Sequence, residues 1–190
     1  MNIENTMNIH IPQLSIYIGP MFAGKSSKLI ELYNIAIQQN LKPLVVTHTS
    51  ETRYSNDGLS THNNITIDCV KYNSIELLMA DNFNLKDNYD VVFIDEAQFF
   101  SDLTKCVDIV DKWNKSLYVF GLDGDFKRNK FGTILDLIPY CDYIEKIKAT
   151  CNKCSSHAIF SHKLISDTNQ VLIGSNDVYE SLCRKCYLKN

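Results

Sequence analysis

The chain has 190 residues, 45 % of them apolar, and a formal charge of −3 at pH 7, which is enough apolar content for the core of one domain with a small appendage and excludes a disordered chain. The acidic balance speaks against a non-specific nucleic-acid binder, which needs a basic stripe to displace phosphate counterions. No apolar run approaches the roughly 20 residues of a membrane span, and residues 1–13 lack the basic and apolar regions of an export signal, so the expected location is the cytoplasm, with no membrane or nucleic-acid partner.

In chain order, residues 14–18 form a short apolar strand, followed by a Gly-Pro turn. A helical pattern of Leu29, Ile30, Leu32, Tyr33, Ala36 and Ile37 then ends near Asn40. Residues 43–47 are a second strand. The polar segment 51–64, with Asn-Asp-Gly turn chemistry, reads as an exposed, mobile loop. Residues 65–69 return as a strand and 74–80 as a short helix. Residues 89–94 are a strongly apolar strand, and 102–113 a helix whose apolar face carries Leu103, Cys106 and Val110. A strand at 117–122, a helix at 131–138 and a last strand at 143–149 complete the series. Strands alternating with helices imply an α/β fold with a parallel sheet and right-handed crossovers over residues 1–149. From Thr150 the pattern changes to cysteine pairs, polar turns and one short apolar run at 170–173, so residues 150–190 read as a small second module.

Gly19-Pro20-Met21-Phe22-Ala23-Gly24-Lys25-Ser26 matches G-x-x-x-x-G-K-[ST] between a strand and a helix, the context that a phosphate-binding P-loop requires. Its glycines let successive N–H groups face an anion, Lys25 bridges the terminal phosphates, and the Ser26 hydroxyl ligates Mg²⁺. Four apolar residues, 91–94, run into Asp95 and Glu96. Asp95 is the metal-orienting candidate and Glu96 the candidate general base, since phosphoryl transfer needs a nucleophile oriented and its proton accepted. Arg53 and Arg128 lie in loops at the presumed ligand face, where a planar fork suits phosphate; a solvated loop arginine is the alternative. Cys151-x-x-Cys154 and Cys183-x-x-Cys186 offer four thiolates for a tetrahedral, structural Zn²⁺ that ties the base of a 28-residue loop. A redox C-x-x-C would need an exposed, acidified thiol in a thioredoxin-like context, and two pairs in one module speak against it. Cys69, Cys106 and Phe100 read as core, and His157 and His162 as surface residues.

These motifs, together with Glu51-Thr52-Arg53-Tyr54, Ile94-Asp95-Glu96-Ala97-Gln98-Phe99-Phe100, Gly121-Leu122-Asp123-Gly124-Asp125-Phe126, Phe131-Gly132, and Gly174 and Tyr179 between the cysteine pairs, resemble those of the type II thymidine kinases of animal cytosol, bacteria and large DNA viruses. The resemblance spans nearly the whole chain. It implies a P-loop-type α/β sheet with a zinc-anchored lasso, and transfer of the ATP γ-phosphate to the 5′-hydroxyl of thymidine, with deoxyuridine a second substrate. It makes Glu96 the base, assigns Asp95 and Ser26 to Mg²⁺ of ATP, gives the phosphates to Lys25 and the loop through Ser27, and makes Arg53 a group that stabilises phosphoryl transfer.

The resemblance further implies that Gln170, Leu172, Ile173 and Gly174 belong to the lasso, whose main chain hydrogen-bonds the nucleobase. It places Glu51, Phe99, Phe126, Phe131 and Tyr179 around the nucleoside, and Met21, Leu122 and Ser161 beside the 5-methyl group. Glu51 stands where Asp is usual, and Ser161 where Thr is common, which removes a methyl beside the base. A homotetramer and dTTP inhibition at the acceptor site are likewise implied. The competing reading, an ATP-dependent nucleic-acid binder with a zinc contact module, predicts a basic zinc-anchored surface, and residues 151–190 carry only a mild basic excess.

Overall fold

The computed structural model describes residue 9 and residues 11–50, 59–60, 66–81, 86–166, 169–170 and 177–189. Its centre is a six-stranded sheet in the order β5-β2-β6-β7-β1-β8, formed by β1 (Leu14–Ile18), β2 (Pro43–His48), β5 (Val70–Tyr72), β6 (Val91–Ile94), β7 (Ser116–Gly121) and β8 (Tyr143–Lys146). Every pairing in it is parallel. β1, β6 and β7 are buried along their whole length, which is why they read as unbroken apolar runs: a parallel strand inside the sheet is covered on both faces.

Alternation along each strand sorts these residues into two cores. On one face Tyr17, Phe93, Tyr118 and Phe120 join Leu29, Leu32 and Ala36 of α1 (Lys25–Gln38). Their rings stack, Tyr17 on Phe120 at 4.9 Å and Phe93 on Tyr118 at 5.2 Å. On the other face Leu14, Ile16, Val92, Ile94, Leu117 and Val119 meet Phe100, Leu103, Ile109 and Leu137. Phe100 is fully buried there, as a core residue should be. Phe100→Ala is expected to cost about 3–5 kcal/mol of stability, through lost transfer energy and a cavity that cannot fully collapse, measured as a shift in the denaturant midpoint.

Three segments depart from the sequence reading. Within 65–69, Thr66–Ile67 (β4) pairs antiparallel with Leu59–Ser60 (β3), and the strand that joins the sheet is β5 at Val70–Tyr72. An edge position asks for less apolar surface than the run at 65–69 offers, so hydropathy misplaced it. The helix expected at 102–113 is a 3-10 turn, Leu103–Cys106, running into a short α3, Val107–Asp111. The one at 131–138 is a 3-10 helix, Ile134–Tyr140, containing Pro139. Apolar spacings of three satisfy either helix type, and only packing against the sheet selects between them. The short helix near 74–80 is present as α2 (Ile75–Ala80). Ser74 caps it by accepting the Leu77 N–H, and from further along the chain the Asp102 carboxylate accepts the Ile75 and Glu76 N–H groups at 2.9 Å each.

After β8 the chain makes two antiparallel pairs, β9 (Ala149–Thr150) with β10 (His157–Ala158) and β11 (Phe160–Lys163) with β12 (Tyr179–Leu182), then α4 (Arg184–Tyr187). Their own core is small: Ala149, Cys151, Ala158, Leu182 and Cys183. Among the described residues no helix is long and apolar enough to cross a membrane.

Candidate active site

Because the sheet is parallel, the carboxyl ends of β1, β2, β6, β7 and β8 all open on one edge, and the phosphate-loop and acidic motifs follow two of those ends. β1 leads into the loop 19–24. Gly19 has φ 150°, and a Cβ there would lie 2.3 Å from the Ile147 carbonyl oxygen; Gly24 has φ 85° and immediately precedes α1. Only glycine adopts this path without strain. The buried Lys25 ammonium donates to the Gly19 and Pro20 carbonyls at 3.1 and 2.8 Å, so it lies inside the loop that it is expected to serve. Ser26 is half-buried, while Phe22 and Ser27 are exposed.

β6 runs into Asp95 and Glu96, both buried. Asp95 Oδ1 accepts the Glu96 N–H at 2.9 Å, and Glu96 takes a left-handed backbone, φ 51° and ψ 39°. A left-handed non-glycine residue costs on the order of 1 kcal/mol or more, and such residues cluster at functional sites. The turn aims the chain out of the sheet into the 3-10 segment Ala97–Phe99. There the buried Gln98, to which the motif alone assigns no role, donates from Nε2 to Glu96 Oε2 at 2.6 Å and accepts the Leu122 N–H on Oε1 at 3.0 Å. A buried amide with both ends engaged leaves no mark in periodicity; a polar residue between the acids and the Phe99-Phe100 pair was the available signal.

The expected aromatic wall is partly assembled. Phe99 meets Phe131 edge-on at 5.8 Å, and His48 lies 6.0 Å from Phe99. Phe126 and Tyr179 share Lys163, whose ammonium is 4.6 Å from the first ring centroid and 5.9 Å from the second. Lys163 is buried and also donates to the Asn169 carbonyl at 2.9 Å; nothing in its sequence neighbourhood marks it. Met21 is held by the C-terminal module at both of its main-chain groups. Its N–H donates to Ser161 Oγ at 3.0 Å and its carbonyl accepts from Ser181 Oγ at 2.7 Å. The serine that the resemblance places beside the base therefore ties β11 to the phosphate-binding loop. Gln170 reaches Asp125, Nε2 to Oδ2 at 2.9 Å, through its side chain.

Arg128, for which the sequence left a phosphate fork and a solvated loop arginine both open, is exposed. Its guanidinium packs over Tyr187 and Phe160, 4.9 and 5.6 Å from the ring centroids, at a left-handed φ of 66°. It borders a cleft of about 230 Å³ together with Pro20, Asp123, Lys146, Phe160 and Ser161, in which Lys146 pairs with Asp123. His157 is exposed as expected, but His162 sits against Glu180 at 3.2 Å and edge-on to Tyr187. Cys69 is only partly buried, whereas Cys106 is fully so, its thiol pushed up by burial. Glu51, Arg53, Leu172, Ile173 and Gly174 lie outside the described residues, as does most of the 51–64 loop.

The sulfurs of Cys151, Cys154, Cys183 and Cys186 all lie within 4.8 Å of one another, and Cys154 Sγ is 3.6 Å from Cys183 Sγ. A tetrahedral zinc with Zn–S bonds near 2.3 Å implies sulfur separations of about 3.8 Å, so the donor set suits a structural metal. Hydrogen bonds from the Ser156 hydroxyl and N–H lower the Cys154 thiol toward the thiolate that a metal requires, while the hydrogen bond with Cys154 raises Cys186. Cys183 Sγ also accepts the Cys186 N–H at the start of α4.

Comparison with known proteins adds to this geometry. The family model for thymidine kinase matches residues 12–187. The chain belongs to the thymidine kinase family. It is 39 % identical over 187 residues to the thymidine kinase of Yaba monkey tumor virus, covering 96 % of this chain and 98 % of that one. It is 39 % identical to the thymidine kinase of Myxoma virus (strain Lausanne), covering 92 % of this chain and 96 % of the relative. Thymidine kinase a of Arabidopsis thaliana is 37 % identical over 178 residues, 92 % of this chain and 74 % of the relative. As a member of the thymidine kinase family the chain is an ATP-dependent phosphotransferase.

Proposed function

We propose that this member of the thymidine kinase family transfers the γ-phosphate of ATP to the 5′-hydroxyl of thymidine, yielding dTMP for nucleotide salvage, and to that of deoxyuridine as a second acceptor, yielding dUMP. The observation that carries the reading is the convergence of the glycine-shaped loop around Lys25 and the left-handed Glu96 carboxylate at one edge of the sheet. Lys25 and the 19–27 loop hold the phosphates, and Ser26 and Asp95 hold and orient the magnesium that accompanies ATP. Glu96 accepts the hydroxyl proton, and Arg53 stabilises the transferring group. Bound magnesium would neutralise charge on the phosphate oxygens.

Met21, Glu51, Phe99, Leu122, Phe126, Phe131, Ser161 and Tyr179 surround the nucleoside, an aromatic-lined slot being suited to a flat, neutral base. Gln170, Leu172, Ile173 and Gly174 offer it lasso contacts. In this reading residues 1–149 are the nucleotide-binding domain and 150–190 the lasso module, and the metal on the four cysteines is zinc, which an all-thiolate tetrahedral set favours. The enzyme works in the cytoplasm as a homotetramer inhibited by dTTP. Support for self-association comes from the outer strand β8, where Tyr143 and Ile144 stand exposed, as do Ile138 and Tyr140 just before it in the chain, an apolar sheet edge that a second copy would cover.

The test is a nucleoside panel on zinc-replete protein with Mg·ATP. Strong preference for thymidine and deoxyuridine over deoxycytidine and the purine deoxynucleosides is expected. Phosphorylation of none of them, with ATP hydrolysis stimulated by single-stranded DNA, would overturn the reading.

A further inference from the structure

We propose that Gln98 is a positioning residue of the phosphoryl transfer, its carboxamide fixing the Glu96 carboxylate at a set distance from the end of β7, where the chain passes into Leu122. The inference rests on Glu96 being the base. The orientation of the amide follows from its partners. The Leu122 N–H can only donate, so Oε1 faces it at 3.0 Å, and Nε2 is left to face Glu96 Oε2 at 2.6 Å. The contact is therefore donor to carboxylate, short and charge-assisted, in a site where Gln98 and Glu96 are 3 % and 8 % exposed.

Two glycines on other segments make room for this bridge. A Cβ on Gly121 would lie 2.7 Å from Gln98 Oε1. One on Gly132, at φ 62°, would lie 2.0 Å from the Gln98 carbonyl oxygen. The residue is thus clamped at its backbone by the segment around Gly132 and at its carboxamide by the end of β7. With the side chain held from both sides, the carboxamide tethers one Glu96 oxygen. A base must stay within hydrogen-bond reach of the hydroxyl whose proton it takes, and a small misplacement is costly in rate.

A merely structural role, filling the core and satisfying the Leu122 N–H, predicts the same loss whatever residue 96 is. A double-mutant cycle separates the two. On full-length, zinc-replete protein with Mg·ATP, Gln98→Met is expected to lower kcat for thymidine at least about 10-fold while KM stays within about 3-fold. In the Glu96→Gln background the same change should cost less than about 2-fold in kcat. Equal fold losses in both backgrounds would overturn the proposal. Near-normal kcat in Glu96→Gln alone would overturn it by another route, since the base assignment itself then fails.

Should Gln98→Met not fold, Gln98→Leu serves in the same cycle, since it removes the contact to Glu96 without adding a charge. A kcat loss that is relieved in the Glu96→Gln background supports the proposal, and one that is not relieved overturns it.

Discussion

Glu96→Gln is expected to reduce kcat by roughly 10²-fold or more while ATP and thymidine affinities change by no more than a few-fold, the pattern for loss of a general base. The substitution is nearly isosteric, and the carboxamide oxygen it introduces can still accept from Gln98 Nε2, so the backbone turn and the aromatic wall at Phe99 and Phe131 should stay in place. What disappears is the capacity to take a proton at that point. Steady-state kinetics gives the turnover, and calorimetric titration with thymidine and with a non-hydrolysable ATP analogue gives the affinities. Near-normal turnover would remove Glu96 from the role; weakened binding of both ligands in proportion to the rate loss would make it a structural residue of the pocket.

Metal removal should have an effect of similar size on a different quantity. The C-terminal module has, among the described residues, a core of two alanines, two cysteines and Leu182, too little burial to hold two hairpins against chain entropy, so its stability should come largely from the metal. Chelation, or Cys183→Ser, is expected to loosen β9–β12 and abolish thymidine binding, because Tyr179 and the Ser161 and Ser181 contacts to Met21 belong to that module. The six-stranded sheet, with cores on both faces, should persist and keep its far-UV circular dichroism. Elemental analysis should find one zinc per chain. Thymidine affinity unchanged in metal-free protein would sink the structural-metal account.

The two predictions divide the molecule as its forces do. In the sheet, the residues proposed for the chemistry follow strand ends that are stabilised by extensive apolar burial. In the appended module, position depends on a cluster of four cysteine sulfurs and on serine hydroxyls, so ligand binding and metal content are expected to be linked.

The loop around Lys25, the strand 91–94 with its two acids, the paired cysteines and the α/β succession were legible because each is written in consecutive residues. A glycine required by a left-handed turn, an apolar run long enough for a strand, or a C-x-x-C spacing is a local constraint and survives any arrangement of the rest. So was Phe100 as core. Less legible was the boundary between 65–69 and β5, because an edge strand carries little hydropathy, and the helix type of 102–113 and 131–138, because a spacing of three serves both geometries.

Other features were decided only by tertiary structure. Gln98 acquires meaning when β6 and β7 lie side by side and bring Glu96 and Leu122 to its two ends. Arg128, left open by the sequence between a phosphate fork and a solvated loop arginine, gains ring contacts once Phe160 and Tyr187, more than thirty residues on, arrive beneath it. Ser161, which the resemblance places beside the base, is in the structure the tie between β11 and Met21. From its sequence alone this protein was assignable to its family, since the phosphate-loop pattern, the strand with its two acids and each C-x-x-C pair are local in the chain. The partners of its polar side chains were settled by the fold, because a hydrogen bond between residues that are distant in the chain depends on relative strand placement, which periodicity does not encode.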